Sequence, residues 1–265
     1  MRAHHPDYVI ALLVAVLLAI GLVMMYSVSP ILSHSLTGSV DRNYYFVNQI
    51  KYIGLGLVAW VAGSLVPYPV WRKWAPILLG AAMVSVLALL VPGLSHTTNG
   101  ATRWIDLGVV SFQPAELLKL ALVLYLASWF ERRRQDVRSF MDGVVPFAIM
   151  VGVACFVIAV FQRDMGTMAV MALAAMGMFF AAGTRWSHVG VLVAGALAAG
   201  WAMILAFPHR LSRLSTFLDP SKDLNGAGYH VNQALIAIGS GGLLGVGLGH
   251  SIQVYGYLPE AANDS

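Results

Sequence analysis

The sequence predicts an all-α polytopic membrane protein with seven transmembrane helices and a large extracytoplasmic loop. Three observations carry that prediction. Of the 265 residues, 58% are hydrophobic and 11% charged, whereas a soluble domain has about 25% charged residues. Apolar stretches close to the ~20 residues that a spanning helix needs recur along the chain. Lys and Arg gather in alternate connections between those stretches, as a fixed orientation in a bilayer requires.

The stretches run over residues 8–26, 45–66, 74–91, 114–130, 144–161, 167–183 and 188–207. The first has too long an apolar core for a cleaved leader and no A-x-A site closes it, so it reads as an anchor. The fourth opens on Pro114, a residue suited to the first position of a helix. The fifth contains Cys155, the only cysteine, which excludes an intrachain disulfide. Placing the N-terminus in the cytoplasm puts Arg2, Arg72, Lys73, Arg132, Arg133, Arg134, Arg138 and Arg185 inside, and Arg42, Arg103 and Arg163 outside. That bias fits the positive-inside rule. The run ERRRQDVR at 131–138 reads as a cytoplasmic loop touching anionic lipid headgroups. The net charge of +4 is small. No basic-aromatic patch accompanies it, so nucleic acid is not an expected partner.

Two regions follow: helices over 1–207, and an outer segment over 208–265. The outer segment is long for a connection, and such loops are usually functional or disordered. Its 226–264 portion joins a glycine-dense run to two carboxylates, Glu260 and Asp264. The chain stops one residue after Asp264, which reads as a fragment whose further helices follow.

Several side chains are candidates for chemistry. Glu116 and Lys119, at i and i+3, share a helix face and can pair. They form either a salt bridge tying helices together or a polar wall of a substrate cavity; ionisable groups at membrane depth face protein or water. Arg103 and Trp104 lie in an outer loop, where Arg suits a phosphate and Trp suits the headgroup level. Asp164 precedes small helix-starting residues and reads as an N-cap. Glu260 and Asp264 read as a solvated pair, as a general base for a lipid-linked substrate, or as holders of a divalent cation such as Mg2+ or Mn2+. No Walker loop, G-x-S-x-G or H-E-x-x-H motif occurs.

Taken together, NGATRWIDLGVVSFQPAELLKL, FQRDMGT, LDPSKDLNGAGYHVNQALIAIGSGGLLGVGLGHSIQ and YLPEAAND resemble the SEDS proteins, the FtsW, RodA and SpoVE glycosyltransferases of bacterial wall synthesis. The wording PAE and YLPEA lies nearer to FtsW and SpoVE. The resemblance spans nearly the whole chain. It implies a fold of ten transmembrane helices in the bacterial inner membrane, of which this chain would hold seven. It implies polymerisation of lipid II, a disaccharide-pentapeptide on undecaprenyl pyrophosphate. It also implies a class B penicillin-binding protein as partner, among other division or elongation membrane proteins. Asp264 matches the family's essential aspartate, with a role as general base. Glu116 and Lys119 match its charge pair, Asp164 the aspartate of Q-P-D-x-G-T, Arg103 and Trp104 its R-W pair, and Gln233 a glutamine of the Y-H-x-x-Q segment. Arg103, Arg210 and Arg213 are the implied counter-charges for the leaving pyrophosphate. The sequence departs from the family pattern at Arg163, where the family has proline, and at Ala262, Asn263 and Ser265 around Asp264. Two competing readings are a flippase of a lipid-linked sugar and a non-catalytic scaffold of the wall-synthesis complex.

Overall fold

A computed structural model describes residues 7–37, 43–91, 95–98, 101–106, 111–162, 164–206, 227–242, 245–247, 250 and 251. The chain divides into two compact units, one comprising Met1–Leu65 with Met203–Ser265 and the other Val66–Ala202.

In the first unit, α1 (Tyr8–Thr37) opens at Asp7, whose carboxylate accepts from the backbone N–H groups of Val9 and Ile10 at 3.0 and 3.3 Å. These are N–H groups that the helix itself leaves unpaired. The start of α2 (Tyr44–Leu65) is satisfied from outside: the N–H of Phe46 donates to the hydroxyl of buried Ser29 at 3.2 Å. Tyr26 meets Phe46 edge-on with ring centroids 5.3 Å apart. These contacts fasten the first turn of α2 to α1. The last described helix, α8 (Ala227–Gly241), also belongs to this unit.

The second unit is a helix bundle capped at one end by a small sheet. Here α3 (Tyr68–Leu87) and α4 (Pro114–Arg132) run antiparallel: the Ser128 hydroxyl donates to the Arg72 carbonyl at 3.5 Å, and Arg72 pairs with Glu131 at 2.8 Å. Leu118, Leu122 and Leu126, spaced by four, form the buried stripe of α4. Next come α5 (Val145–Val157) and α6 (Met165–Ala181), the latter burying Met171, Ala175 and Phe179 at the same spacing. Phe147 of α5 stacks on Phe179 with centroids 4.4 Å apart, and Phe130 lies against both. Buried alanines at 75, 82, 115, 121, 154 and 175 let the helix backbones approach closely. The next helix, α7 (Trp186–Ala206), begins in this unit.

Two wide turns flank α5, at Phe140–Val144 and Ile158–Gln162, each with the i→i+5 bonding that inserts an extra residue into a helix. Gly143 in the first is required by close packing. A Cβ there would sit 2.7 Å from the carbonyl oxygens of both Asp136 and Val137.

The expectation of seven transmembrane helices is corrected. Among the described residues, three helices are long and apolar enough to cross a membrane: Tyr8–Pro30, Tyr68–Leu90 and Phe140–Gln162. The reasons lie in the sequence. In α2, Asn48, Gln49 and Lys51 dilute the first half of an otherwise apolar helix, and α4 carries Glu116, Lys119, Glu131 and Arg132. Met165–Ala181 is apolar but short; its 17 residues rise only ~25 Å, against a hydrocarbon core of ~30 Å.

The helical membrane-type fold is as expected; within it, residues between α3 and α4 form a small antiparallel sheet of order β1-β2-β3. Its strands are β1 (Ser95–Thr98), β2 (Ala101–Asp106) and β3 (Ser111–Phe112). His96 lies opposite Trp104, the register shifts between His96 and Thr97, and Ile105 lies opposite Phe112. Ile105 is buried in the same core as Leu89, with Phe112 packed against it, which seats the sheet on the bundle.

Candidate active site

At the sheet end of the second unit, four elements bring polar side chains together. β2 carries Arg103, and the turn Ile158–Gln162 ends beside it, so that Arg103 Nε donates to the Gln162 carbonyl at 3.3 Å. Gln162 is the last residue of that turn, so its carbonyl is one that a helix end leaves unpaired, and Arg103 takes it.

Asp164 caps α6. Its φ of −105° and ψ of 94° are non-helical, its Oδ1 accepts from the Thr167 N–H at 3.0 Å, and its Oδ2 accepts from the Thr167 hydroxyl at 3.0 Å. A third donor comes from another helix. Gln113 stands at the N-cap position of α4 but makes no cap bond there; its Nε2 donates instead to Asp164 Oδ2 at 3.2 Å. Burial alone would raise the Asp164 carboxyl. The Thr167 N–H and hydroxyl, the Arg103 charge and the Gln113 amide outweigh it and hold that carboxyl below its ordinary value. Asp164 is therefore a fixed anion at neutral pH, with both oxygens engaged.

Glu116 lies one turn into α4, and its N–H donates to the Gln113 carbonyl at 3.0 Å. Its carboxylate takes both contacts from Lys119 Nζ, at 2.8 and 2.9 Å. The pair stays within one helix, so the expectation that it ties helices together is not met. The Glu116 side chain is 58% exposed and that of Lys119 27%, which leaves the carboxylate open to a ligand.

Trp104 is exposed, on the strand that holds Arg103. Gln233 lies half-buried on α8 in the first unit. Arg210, Arg213, Glu260 and Asp264 lie outside the described residues. Of the expected site residues, the structure thus sets Arg103 near Asp164, while Glu116 and Lys119 pair on α4, the helix whose N-cap residue Gln113 reaches Asp164. Three participants were not anticipated: Gln113, Gln162 and Thr167. Their signal was present, since each sits inside the motifs QPAELLK and FQRDMGT, but nothing in local spacing says that one motif braces the other. Gln162 is fully buried, and among the described residues neither polar atom of its amide has a hydrogen-bond partner. No three His, Cys, Asp or Glu side chains come together to hold a metal among the described residues.

The sequence matches the FtsW, RodA and SpoVE family model, described as cell cycle protein, over residues 8–265. It is 34% identical over 260 residues to stage V sporulation protein E of Bacillus subtilis, covering 98% of this chain and 70% of that one. It is 39% identical over 252 residues to a probable peptidoglycan glycosyltransferase FtsW of Halorhodospira halophila, covering 95% of this chain and 63% of the relative. The chain thus spans about two thirds of the length of these relatives. Among solved structures, a peptidoglycan synthase complex described as coordinating polymerisation and crosslinking aligns with a TM-score of 0.69 at 28% identity, over 92% of this chain and 67% of that one. The rod shape determining protein RodA of Thermus thermophilus aligns with a TM-score of 0.59 at 28% identity, over 75% of this chain and 61% of that one.

Proposed function

The chain belongs to the FtsW, RodA and SpoVE family of bacterial cell-wall proteins, and from that membership we propose that it acts as a peptidoglycan glycosyltransferase polymerising lipid II. The observation that carries the reading is the match of the family model across residues 8–265, a span that includes Arg103, Glu116, Lys119, Asp164 and Asp264.

In this mechanism Asp264 is the general base. It takes the proton from the acceptor sugar 4-hydroxyl as that oxygen attacks the anomeric carbon of the donor. The bond to the lipid pyrophosphate breaks, the pyrophosphate leaves with the electron pair, and the anomeric centre inverts. Asp164, held as an anion by three donors, is a positioning residue rather than a proton carrier. It fixes the start of α6 against α4 and keeps Arg103 nearby as positive charge. The exposed Glu116–Lys119 pair forms the polar wall beside it. Arg103, Arg210 and Arg213 are the proposed counter-charges for the leaving group. Mg2+ or Mn2+ is the further candidate, to be tested by chelation. The protein's proposed partner is a class B penicillin-binding protein, a reading supported by the fold shared with the synthase complex.

The decisive experiment is polymerisation of purified lipid II in proteoliposomes. General-base catalysis is worth ~10²–10⁴-fold, so Asp264→Asn should lower the rate by that order while leaving the thermal midpoint unchanged. A wild-type rate in this variant would remove Asp264 from the mechanism. Transbilayer movement of lipid II without glycan products would favour a flippase instead.

A further inference from the structure

We propose that the end of the second unit opposite the sheet is a docking surface for anionic phospholipid headgroups, with Arg132, Arg133 and Arg134 as its contacts. Several elements converge there. The start of α3 meets the end of α4 through the Arg72–Glu131 pair. The connection after α4 meets the connection after α6, because Arg138 Nε donates to the Gly183 carbonyl at 3.2 Å and the Thr184 hydroxyl to the Val137 carbonyl at 3.4 Å. Phe140 meets His188 edge-on with centroids 5.9 Å apart.

The charges on this surface are unbalanced. Glu131 is already used, accepting from Arg72 at 2.8 Å and from the Tyr68 hydroxyl at 3.3 Å. Asp142 is engaged by the Ser139 hydroxyl at 2.9 Å. Among the described residues no carboxylate pairs with Arg132, Arg133 or Arg134, and all three are exposed. Arg133 lies 5.9 Å from the centre of the Trp129 ring, a contact that holds the guanidinium while leaving its N–H groups available.

The surroundings select a lipid over another anion. Tyr68 and Phe140, which begin the two long apolar spans of this unit, are both at this end. Large apolar side chains stand exposed beside the arginines: Phe140 at 48%, Met141 at 72% and Trp186 at 76%. Guanidinium groups and exposed aromatic and aliphatic side chains at the same end of the bundle match the phosphate and upper acyl region of a bilayer. A nucleic acid or an acidic protein would leave those apolar side chains in water.

The test is lipid retention by the full chain, measured by native mass spectrometry with phosphatidylglycerol or phosphatidylcholine of identical acyl chains. Glycan substrate is absent, so the result is independent of the polymerase reading. Wild type should retain phosphatidylglycerol over phosphatidylcholine. A near-surface arginine contributes about fivefold, so the triple change Arg132→Gln, Arg133→Gln and Arg134→Gln should reduce retention about a hundredfold. The corresponding triple change to Lys should keep most of it, and Lys51→Gln in the first unit should leave it unchanged. Equal retention of the two lipids, wild-type retention in the triple Gln variant, or full displacement by inorganic phosphate would each overturn the proposal. Unchanged retention in the triple Gln variant, with loss of a bound acidic protein, would reassign the surface to that protein.

Discussion

Gln113 donates its side-chain amide to Asp164 across 3.2 Å, although 51 positions separate the two in sequence. The residue before α4 thereby braces the residue that caps α6, and two motifs of the family become one structural joint.

Removal of Asp164 tests that joint. Loss of an N-cap costs ~1 kcal/mol, and here Gln113 also loses its acceptor. Asp164→Ala should therefore lower the thermal midpoint by more than Thr167→Val does. Equal losses would show that the Gln113 contact contributes nothing.

The pH dependence follows from the same carboxyl. Its folded value lies below the ordinary 3.8, so its stabilising contribution is fully present above that ordinary value. It is lost as pH falls through the lower folded value. Thermal midpoints of wild type and Asp164→Ala should converge at strongly acid pH and separate as pH rises. Parallel curves would show that Asp164 does not titrate with folding.

Gly143→Ala should be destabilising because the new methyl meets two backbone carbonyl oxygens at 2.7 Å, where no flexible side chain can yield. Overpacking of this kind costs ~1–3 kcal/mol. Gly152→Ala, inside α5 with open space around it, is the control and should hold or raise the midpoint, since alanine favours a helix interior over glycine.

Gln162→Leu should be neutral or stabilising. The amide is fully buried and without a partner among the described residues, and a buried unsatisfied polar group costs ~1–3 kcal/mol. A clear loss of thermal stability would show that the amide has a partner in the working protein.

The Glu116–Lys119 pair separates stability from chemistry. An exposed pair one turn apart is worth ~0.2–0.5 kcal/mol, so Glu116→Gln should barely move the midpoint. The swap Glu116→Lys with Lys119→Glu should restore the pairing. If polymerisation falls in both variants, the charges act on substrate by position; if the swap restores it, pairing alone matters.

Much of this was legible in the sequence. The apolar stretches 114–130 and 167–183 anticipated α4 and α6, Pro114 marked a helix start, and Asp164 stood where a cap belongs. The number of spans was not legible from apolar character alone. Asn48, Gln49 and Lys51 in α2 and the charges of α4 sit inside stretches whose averages looked suitable, and α6, apolar throughout, has only 17 residues. The sheet was missed because its longest strand has 6 residues and no clean alternation, and among its described side chains Ile105 is the buried one, with Phe112 packed on the core beside it. The Arg103–Gln162 contact uses a carbonyl at a helix end 59 positions away, which no residue-level pattern announces. The family motifs named the site residues, whereas only the fold shows that Gln113 and Thr167 hold Asp164 in place.

The two ends of the helix bundle are fastened differently, and this makes it mechanically lopsided. At the arginine-rich end a glycine packs without clearance against backbone carbonyls, and side-chain bonds stitch adjoining connections together. At the sheet end, α4, α6 and β2 meet through the long, pivoting side chains of Gln113 and Arg103. The backbone contact at Gly143 fixes the arginine-rich end, whereas Arg103 and Asp164 lie where neighbouring elements are joined by single side-chain bonds.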